Sequence, residues 1–397
     1  MDVVLFDDLS RISLYPLALT RPVADLRVGI LTIAEKWEKW LQCSVSFSSA
    51  DYLANKFLFR ATDSEVLLIN GAICPDQHLV NAITNLRMGE ALMNEKLLAV
   101  RTSLTVARNF RLHSELRDHR ILQYSHTLTQ LYHPEDIFTF NGQQIRSDFE
   151  LITRNRNSSE LDGSNRIIGN NIFVEEGAKS TAATINTTYG PIYIGKNAEI
   201  WEGSLIRGPF ALCEGAQLKM GTKIYNNVTV GPFSRVGGEL NTCVIWGNSS
   251  KGHEGYFGSS VMGEWCNWGA DTNNSNLKNN YKNVRFYDYA ESNFRDTGLQ
   301  FCGLIMGDHA KCAINTAFNT GTVVGVGASI FGSGTPPAYV PDFSWGGREG
   351  FTTYELTKFF ETVSLVYERR NRIFDLNEQE ILRAVFKLTL NRRNFKN

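Results

Sequence analysis

No stretch of about 18 apolar residues occurs in this 397-residue chain, so a membrane-spanning helix is excluded. Neither sign of charge is in excess. Lys plus Arg number 40 and Asp plus Glu number 41, a net charge of -1. That balance points to no nucleic-acid or membrane partner. No CxxC pair is present. The seven cysteines, at 43, 74, 213, 243, 266, 302 and 312, are odd in number and scattered. They suggest neither a disulfide framework nor a zinc ribbon, and reduced thiols in a cytoplasmic protein are the expectation. The opening residues, MDVVLFDDLS, carry acids and no basic stretch, so no secretory signal is expected.

What is present is apolar material, 43% of the residues, enough for a large core or for more than one domain. The composition changes near residue 155. Before it, strand-like and helix-like runs alternate. Val3–Phe6 and Glu65–Asn70 read as buried strands. Leu26, Ile30, Ile33, Ala34, Trp37 and Leu41 fall at helical spacing. Such alternation predicts an α/β domain with a largely parallel sheet over residues 1–155. The polar run 155–165 reads as a linker.

Beyond it a six-residue period begins. Ile194, Ile200, Ile206, Leu212, Leu218, Ile224, Val230 and Val236 are all aliphatic. Residues four further along, such as Ala198, Ser204, Ala216, Thr222 and Ser234, are mostly small. The same six-residue step separates Ile168 from Val174 and recurs between Val324 and Ile330. A helix repeats at 3.6 and a half-buried strand at 2. A strict period of six is the mark of a parallel β-helix, in which each hexapeptide forms one side of a coil and stacks its aliphatic residue inward. This domain is expected over 166–345. The period breaks between about 246 and 320, a stretch rich in Asn, Gly and Trp. Phe359, Phe360, Val363, Val366 and Tyr367 repeat as a helix does, so 350–397 reads as a C-terminal helical segment packed on the solenoid or on a neighbouring subunit.

Histidine narrows the chemistry. Four of seven, at 113, 119, 126 and 133, fall between positions 101 and 140 and read chiefly as surface residues; no metal site is expected. Only His253 and His309 fall in the solenoid, too few for a three-histidine metal centre. His253 lies in Lys251-Gly252-His253-Glu254-Gly255-Tyr256, where glycines allow close backbone approach. Imidazole is a natural base for an amine nucleophile, and it is equally at home capping a turn.

Residues 168–335 resemble the acetyltransferase domain of the bifunctional family that joins N-acetylglucosamine-1-phosphate uridylyltransferase to glucosamine-1-phosphate acetyltransferase. The resemblance rests on Gly252-His253-x-x-Tyr256-x-Gly258, on Asn267-x-Gly269-Ala270-x-Thr272, and on Asn276 and Lys282, all at the family's spacing. It implies a left-handed β-helix and acetyl transfer from acetyl-CoA to an amino-sugar phosphate, in the biosynthesis of UDP-N-acetylglucosamine or a related sugar nucleotide. It implies His253 as general base and Asn276 as the group that orients His253 or the amine. Tyr256, Asn267 and Lys282 become sugar-phosphate contacts, Arg207 a phosphate grip, and the backbone near Ala270 a donor toward the acetyl group. It also implies a homotrimer with acetyl sites between subunits. The family has a phosphate-binding lysine before the histidine motif, and no lysine aligns in the stretch GGELNTCVIWGNSS.

The first domain resembles the family's nucleotidyltransferase half faintly. Where that family has a Gly-rich phosphate loop, this chain has Leu5-Phe6-Asp7-Asp8-Leu9, and Asn70-Gly71-Ala72 stands where a magnesium-binding Asp is expected. Magnesium belongs here only if this domain is active. Asp7 and Asp8 read as strand-end caps in preference to metal ligands. Two other readings stand beside the acetyltransferase. One is a sugar-1-phosphate nucleotidyltransferase making a UDP- or dTDP-sugar. The other is a non-catalytic trimeric scaffold that binds a sugar nucleotide.

Overall fold

The computed structural model describes residues 1–110, 116 and 118–395. His113 lies outside them. The N-terminal sheet has the order Val45–Ser48, Asp2–Phe6, Glu65–Asn70, Leu97–Ser103, Glu90–Met93, Arg120–Gln123. The first three strands run parallel, Leu97–Ser103 is antiparallel to both neighbours, and the last pair is parallel again. The sheet is therefore mixed, less parallel than the alternation predicts. Helices α1 (Ile33–Leu41), α2 (Gln77–Thr84), α3 (Leu104–Arg108) and α4 (Pro134–Thr153) belong to this part.

Helix α1 begins later than its periodicity suggests. Thr32 closes a capping box with Glu35, the Thr32 N–H donating to Glu35 Oε2 at 2.6 Å. Just before it, the amides of Ile30 and Leu31 donate to Asp148 of α4 at 2.8 and 3.1 Å, and Gly29 N–H donates to Asn141 at 2.8 Å. Tertiary acceptors hold these amides, so the segment from Leu26 turns back on itself against α4, bridging Arg27 to Thr32, instead of starting the helix.

After 155–165, which carries no regular element, the chain winds into a parallel β-helix with three walls. One coil shows the pattern. Ile192–Ile194 lies on the first wall, Glu199–Ile200 on the second and Leu205–Arg207 on the third, and each pairs with its equivalent in the next coil. The eight aliphatic residues from Ile194 to Val236 are all buried, at 3% exposure or less. At the first coil the phase is off by one. Ile167, not Ile168, stands opposite the buried Ile185.

The coil does not stop where the sequence period does. Inward positions continue at Leu240, Ile245, Lys251, Phe257, Met262, Trp268 and Asn274, all buried, in steps of four, five or six residues. The true interruption is shorter. An excursion between Asn276 and Gly303 carries the antiparallel hairpin Arg285–Asp288 with Asn293–Asp296, after which Met306, Cys312, Phe318, Val324 and Ile330 restore the six-residue step. The period hides because three sides are shortened and three inward places hold Lys, Trp and Asn.

The C-terminal segment forms α5 (Leu356–Glu368) and α6 (Leu376–Leu388). Phe359, Val363 and Tyr367 make the buried stripe of α5, and Tyr367 stacks on Trp265 with centroids 3.9 Å apart. Helix α6 faces the N-terminal part, where Lys56 pairs with Glu378 at 2.5 Å. One apolar cluster runs from Val3 through Trp246 and Ile305 to Val385, so all three parts share a core.

Candidate functional site

His253 sits at a corner of the solenoid, in the turn that joins Ser250–Lys251 on the second wall to the strand Tyr256–Met262 on the third. Gly255 has φ +123, and a Cβ there would lie 2.0 Å from the Thr272 carbonyl oxygen. Only glycine allows the turn to press so closely on the next coil. The Asp271 N–H donates to Glu254 O at 3.1 Å, and Tyr256 N–H donates to Asn273 Oδ1 at 2.7 Å, tying the turn to that coil.

From inside, Lys251 holds the turn. It is 1% exposed and pairs with Val236 in the second-wall ladder, a position held by Ile200, Leu218 and Val236 in the three coils before it. Its Nζ donates to Gly237 O at 2.7 Å and to His253 O at 3.0 Å. Burial lowers its pKa to about 8, with Glu254 opposing. This is the lysine beside His253, and it grips backbone from within the core.

The expected site residues divide among three places. Tyr256 and Asn276 meet: Asn276 Nδ2 donates to Tyr256 Oη at 2.9 Å and to Ser259 Oγ at 3.2 Å. Asn276 therefore orients Tyr256, not His253. Burial raises the Tyr256 pKa, so its hydroxyl stays protonated at neutral pH. The imidazole of His253 is exposed and has no hydrogen-bond partner among the described residues. Ala270 gives its carbonyl to Asn315 N–H at 2.8 Å, while its own N–H finds no acceptor among those residues. Lys282 is exposed on the excursion, close in sequence to Asn276.

Arg207 and Asn267 lie elsewhere. Arg207 is exposed on the third wall, its guanidinium over the Tyr189 ring at 4.3 Å. The ladder Leu205, Lys223, Glu239, Tyr256 puts three rungs between Arg207 and the strand of Tyr256, roughly 14 Å at strand spacing. Lys223 is nearer the turn, at 3.4 Å from Glu254 Oε2. Arg207, Lys223 and Tyr225 line one groove of about 290 Å³ on this wall. Lys223 is the cation that sequence reasoning missed. As the outward neighbour of Ile224 in the six-residue ladder, it could have been placed on the same wall by counting. Asn267 is on the second wall, around the corner from Tyr256.

The other histidines are occupied structurally. His119 meets Thr102 Oγ1 at 3.1 Å and His126 stacks on His78. His133 caps α4, and His309 is buried between Trp265, Phe359 and Tyr367, where desolvation holds it neutral. All seven cysteines are free thiols, and six are buried.

A second cavity, about 480 Å³, opens at the C-terminal ends of the parallel strands, lined by Asp7, Asp8, Arg11, Tyr15, Ser49 and Asp51 among others. Ligands of open α/β sheets bind at such a place. Here, however, the loop is tied to itself. Asp8 caps the 3₁₀ turn Leu9–Arg11 through Ser10 N–H at 2.8 Å and accepts from Asn70 Nδ2 at 2.9 Å. Asp7 pairs with Arg11 at 3.1 Å and accepts from Val23 N–H at 2.8 Å and from Ser49. Arg11 in turn donates to Tyr15 Oη, Ala18 O and Tyr52 Oη, each at 2.7 Å. These carboxylates do not fit a magnesium site, since each already serves internal donors.

Comparison with known proteins finds similarity over parts of the chain. Residues 3–157 match the family described as sugar nucleotidyl transferase. The chain is similar to proteins named bifunctional protein GlmU. It is 32% identical over 118 residues to the one from Methanocaldococcus jannaschii, covering 29% of this chain and 27% of that protein. It is 30% identical over 110 residues to the one from Methanococcus aeolicus, covering 28% and 25%. The match thus spans about a quarter of the length of these relatives. Among solved structures, the UDP-N-acetylglucosamine acyltransferase from Campylobacter jejuni aligns with a TM-score of 0.28 at 10% identity, over 60% of this chain and 97% of that one.

Proposed function

We propose that the chain is an acyltransferase that moves the acetyl group of acetyl-CoA to the amine of an amino-sugar phosphate. The observation that carries this reading is the corner turn, in which a buried lysine holds the backbone carbonyl beneath a solvent-facing imidazole, beside a hydrogen-bonded tyrosine. The sugar amine attacks the thioester carbonyl, and His253 takes the amine proton as the N–C bond forms. The oxyanion develops within reach of a free backbone donor such as Ala270 N–H. The C–S bond then breaks, the amide is complete, and the proton passes to the departing thiolate. Tyr256, held by Asn276, positions the sugar. Lys223, with Arg207 deeper in the same groove, meets the phosphate.

The test is thiol release from acetyl-CoA with a panel of amino-sugar phosphates. His253→Asn is expected to lower kcat by roughly 10²–10⁴-fold with little change in KM. A variant that acetylates at the wild-type rate removes His253 from the mechanism.

The match of residues 3–157 to sugar nucleotidyl transferases favours a second reading, in which the strand-end cavity binds a nucleotide. The internal pairing of Asp7, Asp8 and Arg11 argues for binding without turnover there.

A further inference from the structure

The second wall carries a feature that the acetyl reaction does not use. Along its outward ladder Arg235 pairs with Ser250, Ser250 with Asn267 and Asn267 with Lys311. Two short polar side chains are thus flanked by two long cations on successive rungs, which cuts a notch into a flat wall. The end of α5 roofs it, bringing Arg369 and Arg370. The resulting cavity is about 330 Å³, with Trp265 and Cys266 also in its lining. A neighbouring hollow shares Arg235, Asn248, Arg369 and Arg370 and adds Arg372, whose guanidinium lies over the Phe233 ring at 5.4 Å.

No carboxylate lines either space. Among the described residues, none of Arg235, Lys311, Arg369, Arg370 and Arg372 makes an ion pair. Two of the cations are anchored through backbone carbonyls. Arg370 donates to Phe233 O at 2.8 Å and Lys311 to His309 O at 3.1 Å. The roof is fixed by the Tyr367–Trp265 stack. Burial lowers the pKa of Lys311. Arg370 is also lowered, first by burial and then by Arg235 and Arg369. Like charges are being held together with no internal anion to relieve them.

We propose that this notch binds a compact phosphoanion, a pyrophosphate group either free or carried by a nucleotide or coenzyme. Four guanidinium or ammonium groups around a small space suit a multiply charged anion, and Ser250 and Asn267 supply neutral donors to its oxygens. Asn267, expected from sequence to touch a sugar phosphate, faces this notch and not the Tyr256 side of the corner. The site does not depend on acetyl transfer, so failure of one reading leaves the other open.

Calorimetric titration of the full-length chain with inorganic phosphate, pyrophosphate, ADP and coenzyme A tests this. Saturable binding that weakens with salt is expected for pyrophosphate and for at least one of ADP and coenzyme A. The tighter of these two identifies the carrier, and pyrophosphate tighter than both assigns the site to the free anion. Arg235→Ala and Arg369→Ala are each expected to weaken binding by about tenfold or more. Lys358→Ala, in the exposed pair with Glu355 on α5, should leave it unchanged. Arg369 is itself exposed, so its variant should fold, and circular dichroism checks that. No saturable binding of any of the four anions, or binding that survives both arginine variants, overturns the proposal.

Discussion

At the scale of one residue, Lys251 is the most informative departure from pattern. A neutral amine has two N–H donors, and two carbonyls await it, Gly237 O and His253 O. Holding the charged form in the solenoid core is unfavourable, which is why its pKa falls to about 8 from 10.5. The unfolded chain therefore binds the extra proton more readily than the folded one between those values, and stability from this group rises with pH across that window. The shift amounts to about 3 kcal/mol, absent as a penalty above pH 10.5 and fully present below pH 8. Lys251→Met removes it. Urea unfolding of both proteins at pH 7.5 and pH 10 is expected to show the wild type gaining on the variant at the higher pH. A difference that does not move with pH shows that Lys251 is not desolvated as described. The six-residue count that revealed eight ladder positions did not reach Lys251, because the step from Val236 to Leu240 is four residues and the next is five. His253, Tyr256 and Asn276 were legible as a motif. That Asn276 serves Tyr256 was not, because spacing along the chain does not say which side chains meet across coils.

At the scale of elements, two turns set what the molecule can do. The corner at Gly252–Gly255 presents His253 outward. The segment Asp7–Arg11, at the end of the first strand, folds its charges onto one another. Nucleotidyl transfer builds charge on a triphosphate, which needs free backbone donors and a cation. Here Asp8 occupies the Ser10 N–H, and Asp7 is committed to Arg11 and Val23. Magnesium-dependent pyrophosphate release from UTP and sugar 1-phosphates is therefore expected at background. Clear turnover that vanishes in Asp8→Ala would show that the loop reopens around a metal. The sheet order was only partly legible. Buried runs announce strands, but nothing in a run such as Leu97–Ser103 states that it lies antiparallel. Helix α1 was overextended in sequence because Leu26 and Ile30 have helical spacing while the amides of Ile30 and Leu31 are claimed by α4.

At the scale of the whole molecule, the polar linker at 155–165 reads as a boundary, yet the parts are not independent. The resemblance to the bifunctional family implies a homotrimer with acetyl sites between subunits, so light scattering should give three times the 44.6 kDa chain, while a monomer mass would remove the shared site. Within one copy the parts are joined by a buried charge cluster. Arg21, 7% exposed, bonds Asp308 at 2.6 Å, Glu264 at 3.0 Å and Asp25 at 3.1 Å, and lies over the Trp246 ring. Thr20 adds a hydrogen bond to Asp308 at 2.6 Å. One cation thus serves three carboxylates across the seam between the N-terminal part and the solenoid. Burial raises the Asp25 pKa to about 6 even with Arg21 beside it. Arg21→Met would leave these carboxylates facing one another without a counter-ion, and breaking a buried pair in this way costs about 3–5 kcal/mol. The loss should be largest above pH 6 and should shrink as acid neutralises the orphaned carboxylates, because protonation removes the repulsion. Thermal unfolding is expected to pass from one cooperative transition in the wild type to two in the variant at pH 7.5, one for each side of the seam. A variant that still melts in a single transition, shifted by less than a degree, would show that the shared apolar core joins the parts without help from Arg21.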